Sequence, residues 1–342
     1  MEKKEQSISD LGEFGFIRSI GRNCIFSPEK VIKGMGDDCA VIGPYEGKVL
    51  LVTTDLLLQD VHFILPRTSP EVIGRKAVIV NLSDIAAMGG EARHLFISLA
   101  APRSTDVDIL HSMYRGFKGV CGDYGVNILG GDTSASSEGI LISVTVIGEA
   151  KEEEILYRSG AGPGDHIYVT GTLGDSAAGL KLIKEEVAGP DEVAALLKEA
   201  HNLPIPFLEA GRMIARSGLA SAMIDLSDGL LSDLRHVCEA SGVGACLLRS
   251  ALPLSAEVMT LARLNGLDPY GLALHGGEDY RLLVTVPEVN AGPFERMFNE
   301  AGPCRVYCIG KMTEKKGIGM IGPDGLEQVL EAAGFDHFKK PQ

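Results

Sequence analysis

Six aspartates stand where an apolar run meets a glycine turn or a hydroxyl side chain. They are Asp38 in Gly36-Asp37-Asp38-Cys39-Ala40, Asp55 in Thr53-Thr54-Asp55, and Asp84, Asp132, Asp225 and Asp228 further along. Carboxylates and hydroxyls are hard oxygen donors, the set that suits Mg²⁺ and the phosphates it carries. One aspartate beside a glycine reads equally as a turn former or a helix cap. Six in the same kind of setting read as metal ligands. Other phosphate chemistries are missing their parts. Gly174-x4-Gly179 is followed by Leu180 rather than Lys, so there is no P-loop. No His-Arg-Asp kinase loop and no Gly-x-Ser-x-Gly elbow occurs. None of the eight histidines pairs at metal spacing, which sets aside a zinc hydrolase. What remains is an oxygen-rich Mg²⁺ site with glycine turns whose N–H groups can meet phosphate oxygens.

The elements that must position these acids can be read from period and punctuation. Residues 49–54 form a strand, β-favouring and too short for a buried helix, so Thr53 and Asp55 share one of its faces. Ser69-Pro70-Glu71 opens a helix, with Ser as cap and Pro at its first position. That helix runs to Met88, stops at Gly89-Gly90, and carries Asn81 and Asp84 on one face. Before it lies a short helix at 11–20. After it come a strand at 94–100, a helix at 107–124, a strand at 126–129 ending in Gly130-Gly131-Asp132-Thr133, and an alternating strand at 140–148. The charge run Lys151-Glu152-Glu153-Glu154 and the Gly- and Pro-rich stretch to Asp165 mark a connection, with a boundary near residue 155. The second half predicts strands at 166–170, 222–226, 244–248, 280–286 and 306–309. Its helices fall near 175–186, 190–200, 206–217, 229–241, 255–265 and 289–301. Strands and helices mixed in both halves give an α/β or α+β protein.

Composition sets the outer limits. The chain has 342 residues, 45% hydrophobic and 23% charged, as in ordinary globular proteins of two domains. A net charge of −14 argues against nucleic acid and anionic membranes as partners. It leaves room for an anionic small substrate, because bound Mg²⁺ reverses the local sign. The seven cysteines (Cys24, Cys39, Cys121, Cys238, Cys246, Cys304 and Cys308) are scattered and odd in number, which fits thiols in a reducing cytosol. With no signal core behind Met1 and no apolar stretch of membrane-spanning length, a cytoplasmic protein is expected.

Taken in order, the motifs resemble a known family. They are the two acid motifs already quoted, then His62-Phe63, Asn81-Leu82-Ser83-Asp84-Ile85-Ala86-Ala87-Met88-Gly89, Gly130-Gly131-Asp132-Thr133 and Arg158-Ser159-Gly160. Tyr168-Val169-Thr170-Gly171, Gly174-Asp175-Ser176, Ile224-Asp225-Leu226-Ser227-Asp228-Gly229-Leu230 and Gly276-Gly277-Glu278-Asp279-Tyr280 complete the set. Together they look like the thiamine-monophosphate kinases of the aminoimidazole ribonucleotide synthetase superfamily, from about residue 12 to Phe338. The resemblance implies a two-domain fold. Residues 1–155 would bind ATP and Mg²⁺ and form a homodimer through a sheet, and 156–342 would be a C-terminal α/β domain. It implies ATP-dependent conversion of thiamine monophosphate to thiamine diphosphate, with several Mg²⁺ ions and no general base. By the same resemblance Asp38, Asp55, Asp84, Asp132, Asp225 and Asp228 hold Mg²⁺, helped by Thr53 and Thr54. Tyr114, Gly131, Asp132, Arg158 and Ser227 face ATP, and His62, Glu278 and Phe335 face the thiamine phosphate. Tyr280-Arg281 departs from the usual pattern, in which an acid follows the Tyr. Both fall on the strand expected at 280–286, so Arg281 points to the opposite face from Tyr280 and the departure should have little effect. Two alternatives stay open: another ATP-using synthetase of the superfamily, which would need a reactive cysteine, and a non-catalytic nucleotide- or metal-binding protein.

Overall fold

The computed structural model describes residues 28–34 and 36–330. The expected helix at 11–20, Cys24 and Phe335 lie outside them. The first half comprises β1 (Val31–Lys33), β2 (Ala40–Tyr45), β3 (Lys48–Leu58), α1 (Pro70–Ala87), β4 (Glu91–Ala101), α2 (Val107–Tyr124), β5 (Asn127–Ala135) and β6 (Leu141–Lys151). Its strands form one six-stranded sheet in the order β1-β2-β3-β6-β4-β5. Its centre is the antiparallel pair β3·β6, in register from Lys48↔Lys151 to Leu58↔Leu141. At its edge β5 runs parallel to β4.

The second half comprises β7 (His166–Thr170), α3 (Asp175–Ile183), α4 (Asp191–Asn202), α5 (Leu208–Ser217), β8 (Ala222–Asp225), α6 (Leu230–Ser241) and β9 (Gly244–Leu248). It continues with α7 (Ala256–Asn265), α8 (Pro269–His275), β10 (Leu282–Val286), α9 (Glu288–Ala301), β11 (Val306–Thr313), β12 (Ile318–Ile321) and β13 (Glu327–Leu330). Its seven-stranded sheet has the order β13-β12-β9-β11-β7-β10-β8. Both sheets are mainly antiparallel, so the two-domain α/β fold is of the α+β kind. The boundary expected near residue 155 falls in the segment between β6 and β7.

The helix opened by Ser69-Pro70 holds the halves together. The Ser69 hydroxyl accepts from the Val72 N–H as its cap. Most of α1 is buried on every side, from Ile73 to Ala87, which marks a helix enclosed between layers rather than an amphipathic surface helix. One face covers the first sheet, where Leu51, Ile85 and Val146 are fully buried. Burying each such side chain stabilises by about 1.5–3 kcal/mol. Another face meets α5 so closely that a Cβ on Gly211 would stand 2.1 Å from the Ala86 carbonyl oxygen.

Three parts of the fold differ from the sequence reading. β5 continues through Gly130-Gly131 to Ala135, because pairing with β4 holds the glycines extended. β2 contains Gly43-Pro44, which disguises it as a turn. α8 and the β12–β13 edge are short and were legible only through their pairing or cap; Asp268 caps α8 by accepting from Tyr270 N–H. Among the described residues no helix is long and apolar enough to cross a membrane.

Candidate metal and substrate site between the halves

Asp38, Asp84 and Asp225 each present a carboxylate oxygen, and these three atoms lie within 4.8 Å of one another. Three separate elements bring them there: the turn before β2, the last turn of α1 and the end of β8. Short-range contacts aim each one. The Cys39 N–H meets the Met88 sulfur at 3.2 Å, which lays the acid turn onto the end of α1. The Thr53 hydroxyl donates to Asp84. Ser83, one residue before Asp84, donates from Oγ to Asp225 Oδ2 at 2.6 Å and so joins α1 to β8. Asn81 Oδ1 accepts the Asp55 N–H at 3.1 Å, so the two polar residues three apart on α1 engage consecutive odd positions of β3. Arg158 grips Asp38 with Nε at 3.2 Å from Oδ2 and Nη2 at 2.9 Å from Oδ1, and its N–H reaches Asp37 Oδ1 at 3.2 Å.

Burial and mutual repulsion set the charge of this cluster. Burial raises the Asp55 carboxyl to about 6. Asp225 rises to about 8, from burial first and Asp38 next, against the pull of Ser83 and Arg158. Asp84 is pushed well above the ordinary range by burial, then by Asp55, Asp225 and Asp38. An all-oxygen donor set whose members resist ionising together fits a hard divalent cation. Asp233, absent from the sequence reading, belongs to the same field: it is buried, pushed up by burial and then by Asp228 and Asp225, and its Oδ2 accepts the Asp228 N–H at 3.2 Å. Its signal was its place in the first turn of the helix that opens after Asp228.

Other expected residues are placed elsewhere. Thr54 lies on the opposite face of β3 from Thr53 and Asp55, where its hydroxyl meets the Val144 carbonyl at 3.2 Å and Thr145 Oγ1 at 3.0 Å. Strand alternation is the reason. Gly131 and Asp132 lie exposed on β5. Register places Asp55, Val144, Ile97 and Gly131 in one row across β3, β6, β4 and β5. Three strand spacings therefore separate β5 from Asp55, about 14 Å along the sheet. A side chain at Gly131 is barred, since a Cβ would stand 1.7 Å from the Ile97 carbonyl oxygen at φ +151°. Tyr114 on α2 packs edge-on to Phe117, ring centroids 5.1 Å apart.

Beside the acids lies a cavity lined by His62, Phe63, Lys76, Leu180, His201 and Glu278. His62 Nδ1 accepts the Leu58 N–H at 2.9 Å, so the neutral ring carries its proton on Nε2. Glu278 projects from a loop in which Glu278 and Tyr280 both have left-handed backbone, at φ 64° and 48°. Such strain persists where surrounding bonds over-determine it. Here Glu278 N–H donates to Ser227 O at 2.7 Å, Tyr280 N–H to Leu226 O at 2.8 Å, and Asp279 accepts from the N–H groups of Gly174 at 2.7 Å and Ser176 at 3.2 Å. Tyr280 and Arg281 do not lie on the strand as expected: β10 begins at Leu282, and both belong to this loop. Arg281 turns to the Thr172 carbonyl at 3.1 Å and the Phe207 ring. The Tyr280 phenol, which the sequence reading left without a role, is pushed up by burial, then by Glu278, Asp55, Asp225 and Asp84.

Residues 36–150 match the N-terminal domain of AIR synthase related proteins, and residues 162–322 match the C-terminal domain. The thiamine-monophosphate kinase of Aquifex aeolicus is 38% identical, covering 97% of this chain and 99% of its own. That of Escherichia coli K12 is 38% identical over 96% and 99%. The structure of AaThiL complexed with AMPPCP and TMP superposes with a TM-score of 0.85 at 36% identity, covering 98% of this chain and all of that one. A HypE–HypF complex structure shares the fold alone, at 20% identity and a TM-score of 0.73, covering 93% of this chain and 99% of that one. The chain belongs to the thiamine-monophosphate kinase family of the AIR synthase related proteins.

Proposed function

We propose that this chain transfers the terminal phosphoryl group of ATP to thiamine monophosphate, giving thiamine diphosphate. The observation that carries the reading is the acid trio set beside the cavity of His62 and Glu278, where the two halves meet. The relatives bear the same activity in their names, and AaThiL was solved with AMPPCP and TMP.

Asp38, Asp55, Asp84 and Asp225, with Asp228 and Thr53, are read as the residues that hold Mg²⁺. Bound Mg²⁺ supplies neutralisation of phosphate charge and in-line alignment of donor and acceptor. That charge is the main obstacle. Two phosphate charges about 4 Å apart repel by roughly 4 kcal/mol even at an effective dielectric of 20. The acceptor is a phosphate oxygen with a second pKa of about 6, already ionised near neutrality, so no side chain need remove a proton. His62 and Glu278 then orient the thiamine end, with Phe335 as a further stacking group. Arg158 and Ser227 face ATP from the acid side, and Tyr114, Gly131 and Asp132 from the region of α2 and β5. Residues 1–155 are read as the ATP-, Mg²⁺-binding and dimerising domain and 156–342 as the second domain, in a cytoplasmic homodimer. The synthetase alternative finds no nucleophile in Cys39, whose thiol is buried and pushed well up by burial and by the surrounding acids.

The test is product formation: ATP, thiamine monophosphate and Mg²⁺ should yield thiamine diphosphate, with inversion at the transferred phosphorus. No product from the folded wild type would overturn the reading. Retention at phosphorus, or a phosphorylated residue trapped with ATP alone, would overturn the single-step mechanism.

A further inference from the structure

Glu278 is held by groups that neither the motif pattern nor the metal cluster explains. Lys76 on α1 is 3% exposed, and its Nζ lies 3.0 Å from Glu278 Oε1 and 3.3 Å from His201 Nε2. His201 on α4 is 4% exposed, and its Nδ1 lies 3.0 Å from Ser176 Oγ and 3.4 Å from Glu278 Oε2. An ammonium can only donate, so His201 Nε2 must accept, and the imidazole proton sits on Nδ1 facing Ser176 and Glu278. The tautomer follows from the geometry.

We propose that Lys76 and His201 are positioning residues for substrate specificity, gripping the two carboxylate oxygens of Glu278 from opposite halves of the protein so that it meets the thiamine end as a fixed, ionised acceptor. The proposal rests on the function proposed above. The pair settles both the direction and the charge of a carboxylate on strained backbone. Burial alone would raise Glu278, yet it is lowered, by Lys76 first among the charges. His201 stays neutral, lowered to about 4 by burial and then by Lys76, so Lys76 is the only full positive charge that touches Glu278 among the described residues. The other titratable groups facing this carboxylate are His62 across the cavity and the Tyr280 phenol two residues on, while Lys184 acts on His201. A fixed carboxylate selects a ligand that is cationic or rich in N–H donors, which describes an aminopyrimidine joined to a thiazolium. It disfavours a neutral acceptor-rich ring. Lys76 is buried but the Glu278 side chain is 25% exposed, so the pair adds little net stability and its use is orientation.

The test compares Lys76→Met and His201→Gln with wild type for turnover of thiamine monophosphate by ATP, across pH. Lys76→Met keeps most of the length of the side chain and removes the charge. Loss of a charge-assisted hydrogen bond predicts a rise of about tenfold or more in the KM for thiamine monophosphate, with the KM for ATP within about twofold of wild type. Glu278 should then ionise at higher pH, so the defect should shrink as pH rises. His201→Gln keeps an acceptor for Lys76 and drops the Nδ1 proton, so a smaller defect with the wild-type pH profile is expected. Added to Glu278→Gln, Lys76→Met should do little more. Equal shifts in both KM values, a pH-independent defect, or a full additive loss in the double variant would each make Lys76 merely structural and overturn the proposal. If Lys76→Met does not fold, His201→Gln decides: an unchanged KM for thiamine monophosphate overturns it. A wild type without turnover removes the functional reading and this inference with it. An active wild type matched by both variants removes the inference alone.

Discussion

Metal-free protein should lose stability as pH rises from about 4 to about 8, and Mg²⁺ should restore it. Three carboxylate oxygens within 4.8 Å would repel by about 3.5 kcal/mol or more per ionised pair at an effective dielectric of 20. The folded chain relieves this by keeping protons. An aspartate in the unfolded chain ionises near 3.8, while Asp55 in the fold is raised to about 6 and Asp225 to about 8. A folded pKa above the unfolded one means that the native state binds the extra proton. The stabilisation is therefore complete below about 4 and is lost as pH passes the folded values. The rise of Asp55 from 3.8 to about 6 corresponds to about 3 kcal/mol. Asp225 shares the same charges, so its shift does not simply add. At about 2–4 °C per kcal/mol, the scale for a unit of roughly 150–250 residues, the melting temperature should fall by about 6–12 °C. The assay is calorimetry in chelator at several pH values, repeated with excess Mg²⁺, on wild type and Asp55→Asn. The variant removes the carboxyl that titrates near 6 and a charge that raises Asp225, so the slope flattens and the response to Mg²⁺ shrinks. Turnover should be abolished while the fold survives. The reasoning is refuted if Asp55→Asn keeps the wild-type slope, or turns over normally with Mg²⁺.

Two further outcomes are expected. The face of the first sheet away from α1 leaves Leu50, Val52 and Ile147 half-buried and Leu56 and Phe96 exposed, which is apolar surface that calls for a second sheet. Light scattering at micromolar concentration should give a dimer, and a monomer would contradict the homodimer reading. Phe335→Ala should raise the KM for thiamine monophosphate and leave that for ATP nearly unchanged, because an aromatic face stabilises a cationic ring. Equal effects on both substrates would take Phe335 out of the thiamine pocket.

Much of this protein was legible in its residues because the relevant physics is local. The Ser69-Pro70 start and the Gly89-Gly90 stop of α1 are settled within one helical turn by a cap and a breaker. The bounds of α2, β7 and β9 follow the apolar period, and the acids at the ends of apolar runs announce a cation and phosphate. Strand alternation alone already separated Thr54 from Thr53 and Asp55, which the structure repeats in side-chain contacts, whereas the family pattern grouped all three. What tertiary structure decided is convergence. Asp38 and Asp225 are distant in sequence, and only the packing of α1 against both sheets brings them to one point. The same packing carries Lys76 to Glu278 and His201, a grip with no motif because its three members sit on unrelated elements. It also leaves Asp132 three strands from Asp55, although both end similar sequence patterns. Local hydrogen bonds and periodicity are written within a few residues, but distance between elements is set by which faces they bury against each other, and that is a property of the whole chain.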